Sequence, residues 1–259
     1  MTSITLNVHK SVEENASVYF EKAKQMKRKI IGAKEAIDST KIKLKKIEKE
    51  FIKESAPLIE KKAIKREWYE KFRWFFTSEN LLVIMGRDAT SNEIVIKKHT
   101  NADDLVLHTD MAGSPFTIIK SEGKKIENAS IEEAAIATAS YSRAWKLGLT
   151  TLDVFYVKPD QVTKKAKSGE YLQKGAFMIY GKTNYLHPKL GLAIGIDENG
   201  KIMCGPEKAI KVHTKTYFLI TPGDIKSSDV AKKLQKKFSA DIDDIIRALP
   251  TGGCKIEKL

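Results

Sequence analysis

Cysteine is scarce: Cys204 and Cys254 are the only two in 259 residues. That excludes a disulfide framework and a four-cysteine zinc site, and it makes a reducing, cytoplasmic setting the expectation. No stretch of about 18 uncharged apolar residues exists, so a membrane-spanning helix is excluded. Met1-Thr2-Ser3-Ile4-Thr5-Leu6 has neither the basic start nor the apolar run of a secretion signal. His9, His99, His108, His187 and His213 have no i,i+4 or cysteine partner spacing, so no metal and no cofactor is expected. Gly191-Leu192-Ala193-Ile194-Gly195 lacks the ending of a phosphate loop. His108, Asp110 and Ser114 are close in the chain, but a strand puts only the first two on one face and leaves Ser114 beyond a turn. No catalytic residue is assigned, and a binding module rather than an enzyme is expected.

Acidic residues are also in short supply. Lys+Arg number 46 against 33 Asp+Glu, a formal charge of +13. An ordinary small soluble domain carries a net charge of about 2–8. The excess sets up a field that attracts polyanions, either nucleic acid or an anionic membrane surface. The apolar share, 42%, is enough for a core and excludes a wholly disordered chain. The length fits one large domain or two to three small ones.

From Val12 the apolar positions recur in steps of four and three: Val12, Ala16, Tyr19, Ala23, Met26, Ile30, Ala33, Ile37, Thr40, Leu44, Ile47 and Phe51. This is the seam of a coiled coil, and it predicts a helix about 65 Å long. Glu54-Ser55-Ala56-Pro57 is the first turn signal after it, and a second helix can start near Pro57. Leu58, Ile59, Ala63, Ile64, Trp68 and Phe72 would fold that helix back on the first. The return arm is short, so the seam from Val12 to Ala33 is expected to bind another helix, for instance in a second copy of the chain. The outer face of the arm is rich in lysine.

From Trp68 the texture changes. Leu81–Met85, Glu93–Lys98, Leu105–His108 and Phe116–Lys120 read as strands joined by short turns, which predicts an antiparallel meander. Ser130 with Glu133 reads as the capping box of one main helix, whose face of Ala134, Ala135, Ala137, Ala139, Ala144 and Trp145 sits close to a sheet. Leu147-Gly148-Leu149 closes it, and Asp153–Val157, Phe177–Tyr180 and Leu190–Gly195 complete the sheet. The fold class is α+β: a long N-terminal coiled-coil helix (hairpin), then a mixed or antiparallel β-sheet domain with one main helix. The expected divisions are 8–67, 68–200 and 201–259. Between two strands, residues 158–175 form a long loop with five lysines, one tyrosine and polar donors. Such a loop on a rigid sheet suits phosphate oxygens, with Tyr171 placed to stack on an unpaired base.

Several strings now read together. Trp68–Phe75, Gly86-Arg87-Asp88-Ala89, Gly113-Ser114-Pro115 and Lys158-Pro159-Asp160-Gln161-Val162 resemble the NFACT-R domain. So do Ser168-Gly169-Glu170-Tyr171-Leu172, Gly175-Ala176-Phe177-Met178-Ile179 and Gly181-Lys182. The flanks resemble the family's middle coiled coil and, more loosely, its NFACT-C end: Thr216–Gly223, a helix from about Ser228 to Phe238, and Leu249-Pro250. The family includes bacterial RqcH, the eukaryotic nuclear export mediator factor and proteins labelled fibronectin-binding. The resemblance implies a fragment of a ribosome-associated quality-control factor. Such a factor binds the large ribosomal subunit carrying an obstructed peptidyl-tRNA, recruits aminoacyl-tRNA and supports C-terminal tailing of the stalled chain. It also implies that the family's N-terminal NFACT-N domain and helix-hairpin-helix segment precede the part seen here. The family's tRNA-reading Asp-Arg pair belongs to that domain, so Asp88 and Arg87 do not inherit its role.

The residues expected on RNA phosphates are Lys158, Lys164, Lys165, Lys167, Lys174 and Lys182, with Tyr171 as a base-stacking ring. Arg73, Arg87 and Lys97 are second choices. The partners expected are the large subunit and tRNA or rRNA, with self-association through the coiled coil and no membrane. The alternative is a protein-binding, fibronectin-binding-like adhesin or interaction module.

Overall fold

The computed structural model describes residues 4–54, 66–165 and 172–257. It divides the chain into two units, Met1–Lys65 and Arg66–Leu259.

The first unit is one long helix, α1 (Val12–Glu54), of 43 residues. Its start is capped reciprocally. The Glu14 amide donates to Ser11 Oγ (3.1 Å) and the Ser11 amide to Glu14 Oε2 (2.7 Å). Residues 4–10 fold back over the first turns. Buried Asn15 accepts from the Asn7 amide (2.8 Å) and donates to the carbonyls of Asn7, Lys10 and Ser11, while the Tyr19 hydroxyl donates to the Thr5 carbonyl (2.6 Å). The single polar seam residue, Thr40, satisfies its hydroxyl on the Ala36 carbonyl of its own helix (2.7 Å). The seam itself is open: Met26, Ile30, Ile37 and Leu44 are 63, 55, 53 and 56% exposed. The return helix expected from Pro57, with Leu58, Ile59, Ala63 and Ile64, lies outside the described residues. Trp68 and Phe72 do not continue such a helix. Trp68–Lys71 is a single 3₁₀ turn, and Phe72 is buried in the core of the second unit.

The described residues of the second unit form two large sheets and one small two-stranded one. The first is built from β1 (Arg73–Phe76), β2 (Leu82–Met85), β3 (Leu105–His108), β4 (Thr117–Ile119), β5 (Val154–Val157) and β8 (Asn184–Leu186). Their order is β1-β2-β4-β3-β5-β8, and every neighbouring pair is antiparallel. Both faces are covered, which is why Leu81–Met85 reads as a continuous apolar run rather than an alternating one. Leu82, Ile84, Val106, Ile118, Phe155 and Val157 enter one core, and Phe75, Val83, Met85, Leu107, Ile119 and Val154 enter the other.

The second core is closed by α3 (Asn128–Ser140), whose alanines allow close approach, by the short α4 (Arg143–Lys146), and by a second sheet. That sheet runs β10-β9-β11-β12, from β9 (Leu192–Ile196), β10 (Ile202–Gly205), β11 (Thr216–Lys226) and β12 (Gly253–Glu257). Its helices are α5 (Glu207–His213), α6 (Ser227–Phe238) and α7 (Ile242–Ala248). Position 201, where the sequence places a boundary, falls inside the β9–β10 hairpin, so the C-terminal segment shares a sheet with Leu192–Ile196. β6 (Val162–Thr163) pairs only with β7 (Met178–Ile179), so Phe177–Tyr180 makes a small hairpin instead of joining the main sheet.

Two local expectations are corrected. Glu93–Lys98 is not a strand but part of α2 (Ala89–His99). The Asp88 carboxylate accepts from the Ser91 amide (2.8 Å) and the Asp88 amide donates to Ser91 Oγ (2.9 Å), which fixes a helix start that outweighs the β-branched residues. Ser130 is not the cap of α3, which begins at Asn128. Its hydroxyl instead meets Glu79 and Thr77 (2.9 Å), and Glu133 accepts from the Ser78 amide (2.8 Å). These two helix residues therefore hold the β1–β2 turn.

Candidate nucleic-acid interface

A cleft of about 710 Å³ opens in the second unit, lined from six stretches that are far apart in the chain. Arg73 comes from the start of β1. The turn after β2 supplies Gly86, Arg87 and Asp88. Gly113-Ser114-Pro115-Phe116 forms one wall, and Tyr141, Ser142, Arg143 and Lys146 come from the α3–α4 junction. Gln173 to Phe177 close it, with Thr251 from the segment before β12.

Local chemistry fixes each stretch. A side chain at Gly86 would run into Asn92, whose Oδ1 lies 1.9 Å from a Cβ built there, and Asn92 also accepts from the Phe116 amide (3.1 Å). Gly175 has φ +81°, and a Cβ there would lie 2.5 Å from Ala89 Cα; its amide donates to Glu93 Oε1 (3.1 Å). That contact docks the loop on the first turn of α2 and brings Lys174 to the cleft. Ser142 accepts from the Ala144 amide (3.1 Å), which ends α3 and starts α4, so Arg143 and Lys146 face solvent at the rim. The C-terminal segment is tied in by Tyr141, which donates to the Ala248 carbonyl (2.6 Å), and by Trp145, which donates to the Gly253 carbonyl (2.9 Å).

The electrostatics are one-sided. Among the described residues, five cationic side chains line the cleft, Arg73, Arg87, Arg143, Lys146 and Lys174, against one carboxylate, Asp88. The Ser91 amide, at the N-terminus of α2, holds the Asp88 carboxyl below its ordinary range. Burial pushes the Arg73 and Arg87 guanidinium groups down from their ordinary value, and the charge of Arg73 adds to the shift of Arg87. Burial also pushes the His108 imidazole below its ordinary range. Its ring stacks on Phe116 (4.1 Å), and Phe177 meets Phe116 edge-on (5.2 Å), giving the cleft an aromatic wall. The Ser114 hydroxyl is held by Thr109 and by the Met111 carbonyl (2.8 Å), and Asp110 accepts from the Tyr185 hydroxyl (3.3 Å).

Of the residues expected on RNA, Arg73, Arg87 and Lys174 line the cleft. Lys164 does not: its Nζ pairs with Glu93 (2.7 Å), sits over the Phe177 ring (4.7 Å) and donates to the Gln173 carbonyl (3.2 Å). Glu93 is held at a pKa of about 2, first by Lys164 and then by the Gly175 amide. Lys97 pairs with the other oxygen of Glu93 (3.3 Å). Lys158, Lys165 and Lys182 are exposed and lie outside the lining of the cleft. Lys167 and Tyr171 lie outside the described residues. Arg143, Lys146 and Thr251 join the site without having been expected. For the first two, the Ser142 cap ahead of Arg143 was the available signal. Four of the strings that carried the family resemblance, around Arg73, Gly86–Ala89, Gly113–Pro115 and Gly175–Phe177, converge on this one cleft, whereas Lys158–Val162 and Gly181-Lys182 lie outside its lining.

Comparison with known proteins points to the same region. Residues 71–181 match the model of the NFACT protein RNA binding domain. The chain is 44% identical over 207 residues to the archaeal Rqc2 homolog aRqcH of Methanocaldococcus jannaschii, covering 76% of this chain and 31% of that protein. It is 35% identical over 201 residues to the ribosome quality control complex subunit NEMF homolog of Drosophila melanogaster, covering 76% and 20%. The chain thus spans a third or less of these curated relatives. The solved C-terminal structure of a fibronectin/fibrinogen-binding protein from Streptococcus suis superposes with a TM-score of 0.40 at 15% identity, over 70% of this chain and 77% of that one.

Proposed function

Because this chain belongs to the NFACT family, we propose that it is the RNA-binding part of a ribosome quality control factor, with RNA phosphates held in the cleft of Arg73, Arg87, Arg143, Lys146 and Lys174. One observation carries the reading: five cations face a single carboxylate that already caps a helix. Displacing counterions from a polynucleotide is the work such a surface does. Phe116 is buried beneath His108, so His108 and Phe177, both half-buried, are the rings left for an unpaired base beside the phosphates.

In this reading the RNA belongs to the large ribosomal subunit with an obstructed peptidyl-tRNA, or to the aminoacyl-tRNA recruited to it. The whole protein supports tailing of the stalled chain. The ribosome makes the peptide bonds; the side chains of the present unit bind and orient RNA and act as neither nucleophile nor base. The arm contributes a coiled coil through its open seam.

Co-sedimentation with purified large subunits bearing peptidyl-tRNA tests this. The chain pellets with them, and Arg143→Glu, Lys146→Glu and Lys174→Glu together leave it in the supernatant. These three side chains are exposed at the rim, so the fold survives their reversal. Equal pelleting of the native and reversed proteins would remove the cleft from ribosome binding.

A further inference from the structure

Arg73 and Arg87 differ from the exposed rim cations in being half set into the protein. A guanidinium carries five N–H donors. Arg73 Nη2 donates to Thr251 Oγ1 (3.3 Å), and Arg87 Nη2 donates to the Arg247 carbonyl. Both acceptors are neutral, and the Nε of each arginine is buried with no acceptor. Among the described residues no carboxylate forms an ion pair with either arginine. Asp88, the one acid among the described residues of the cleft, acts on both arginines only through space and makes its hydrogen bonds with Ser91, accepting from the amide (2.8 Å) and the hydroxyl (3.0 Å). The Arg73 guanidinium lies over the buried Tyr141 ring (4.7 Å), which holds its plane in place. In the β1–β2 ladder Arg73 pairs with Met85, and Arg87 follows two residues later, so the two are diagonal neighbours at one end of the sheet.

Two neighbouring half-buried cations with no carboxylate paired to either are costly, and part of that cost is recovered when an anion enters. Planar forks match the oxygens of a phosphate two at a time. A singly charged phosphodiester would balance one of the two guanidiniums; a doubly charged phosphate balances both.

We propose that Arg73 and Arg87 form a seat for a doubly charged phosphate group, supplied as the terminal phosphate of an RNA strand or as free phosphate. The terminal-phosphate form rests on the RNA reading above; the seat for free phosphate does not. The rim cations then hold the diester backbone that leads to that end.

The test uses short single-stranded RNAs of one sequence, carrying a 5′ phosphate, a 3′ phosphate or hydroxyls at both ends, with fluorescence anisotropy as readout. One phosphorylated form binds about tenfold tighter than the hydroxyl form, as expected for charge-assisted bonds from two forks. Arg73→Lys and Arg87→Lys keep the charge and lose the fork. They lower the affinity for the phosphorylated strand about tenfold more than for the hydroxyl-ended one.

Inorganic phosphate, followed by thermal shift at constant ionic strength, separates the sources. Stabilisation by phosphate that both lysine variants lose, with no end preference, assigns the seat to free phosphate. Equal binding of all three RNAs together with no shift from inorganic phosphate overturns the proposal. If no RNA binds in any arm, the RNA reading falls and the phosphate shift alone decides the seat. Should a lysine variant fail to fold, the end preference and phosphate shift of the native protein decide.

Discussion

Asp88 does two separable things, and replacing it should move stability and RNA affinity in opposite directions. Its carboxylate caps α2, accepting from the Ser91 amide at 2.8 Å. It is also the one negative side chain among the described residues that line the cleft. Asp88→Ala removes both roles and should cost about 1 kcal/mol of stability, the usual worth of such a cap. Asp88→Asn keeps a good cap and removes the charge, so its stability at neutral pH stays within about 0.5 kcal/mol of the native value. For binding, a carboxylate about 7 Å from a phosphate in a water-like dielectric opposes it by about 0.6 kcal/mol. Both variants should therefore bind RNA about threefold more tightly.

Acid behaviour separates the two variants further. The Asp88 carboxyl is held below its ordinary 3.8, so its stabilising contribution is complete above that value and disappears as pH falls through the lower folded value. Asp88→Asn flattens that part of the acid limb. Urea unfolding gives the first quantity and anisotropy with a single-stranded RNA the second. Unchanged or weaker RNA binding by Asp88→Asn would refute the placement of RNA in this cleft.

Other consequences follow from single contacts. Gly175→Ala forces a Cβ to within 2.5 Å of Ala89 Cα at a φ of +81°; it should cost about 1–3 kcal/mol by urea midpoint and weaken RNA binding by displacing Lys174. Lys120, buried with Asp104, also donates to the His99 carbonyl (3.0 Å), and Asp104 accepts from the amides of Asn101 (2.7 Å) and Ser121 (2.9 Å). Lys120→Met leaves that carboxylate without its cation and should cost about 3–5 kcal/mol, whereas a loss under about 1 kcal/mol would show the pair to be dispensable. On the arm, Ile30→Asp with Ile37→Asp should abolish concentration-dependent self-association in sedimentation; a native protein that is monomeric at high concentration would mean that the seam is covered in another way.

What was legible in the sequence was whatever depends on near neighbours. The period of α1 is plain because one residue type recurs at fixed steps over the whole helix. The apolar runs of β2, β3 and β5 stand out because both faces of their sheet are buried. The run Glu93–Lys98 misled because alternating isoleucine and valine look like a strand until the Asp88–Ser91 cap is weighed. The site was harder. Lys164 and Lys97 sit in lysine-rich stretches that invite phosphate, yet both are paired with the single carboxylate of Glu93, and for Lys164 that partner is about seventy residues away. Arg143, Lys146 and Thr251 meet Arg73 and Arg87 only after α3, the turn after β2 and the C-terminal segment have packed together. Composition revealed the excess of positive charge, but only long-range packing decides which cations are left without an acid.

The most direct measurement is RNA affinity as a function of salt, for the native chain and for the combined Arg143→Ala, Lys146→Ala and Lys174→Ala variant. With five phosphates neutralised on a single strand, log affinity against log salt should fall with a slope of about −3.5, and the variant should be shallower by about 2. A native slope near zero, or the same slope in both proteins, would contradict the assignment of this cleft as the place where RNA is held.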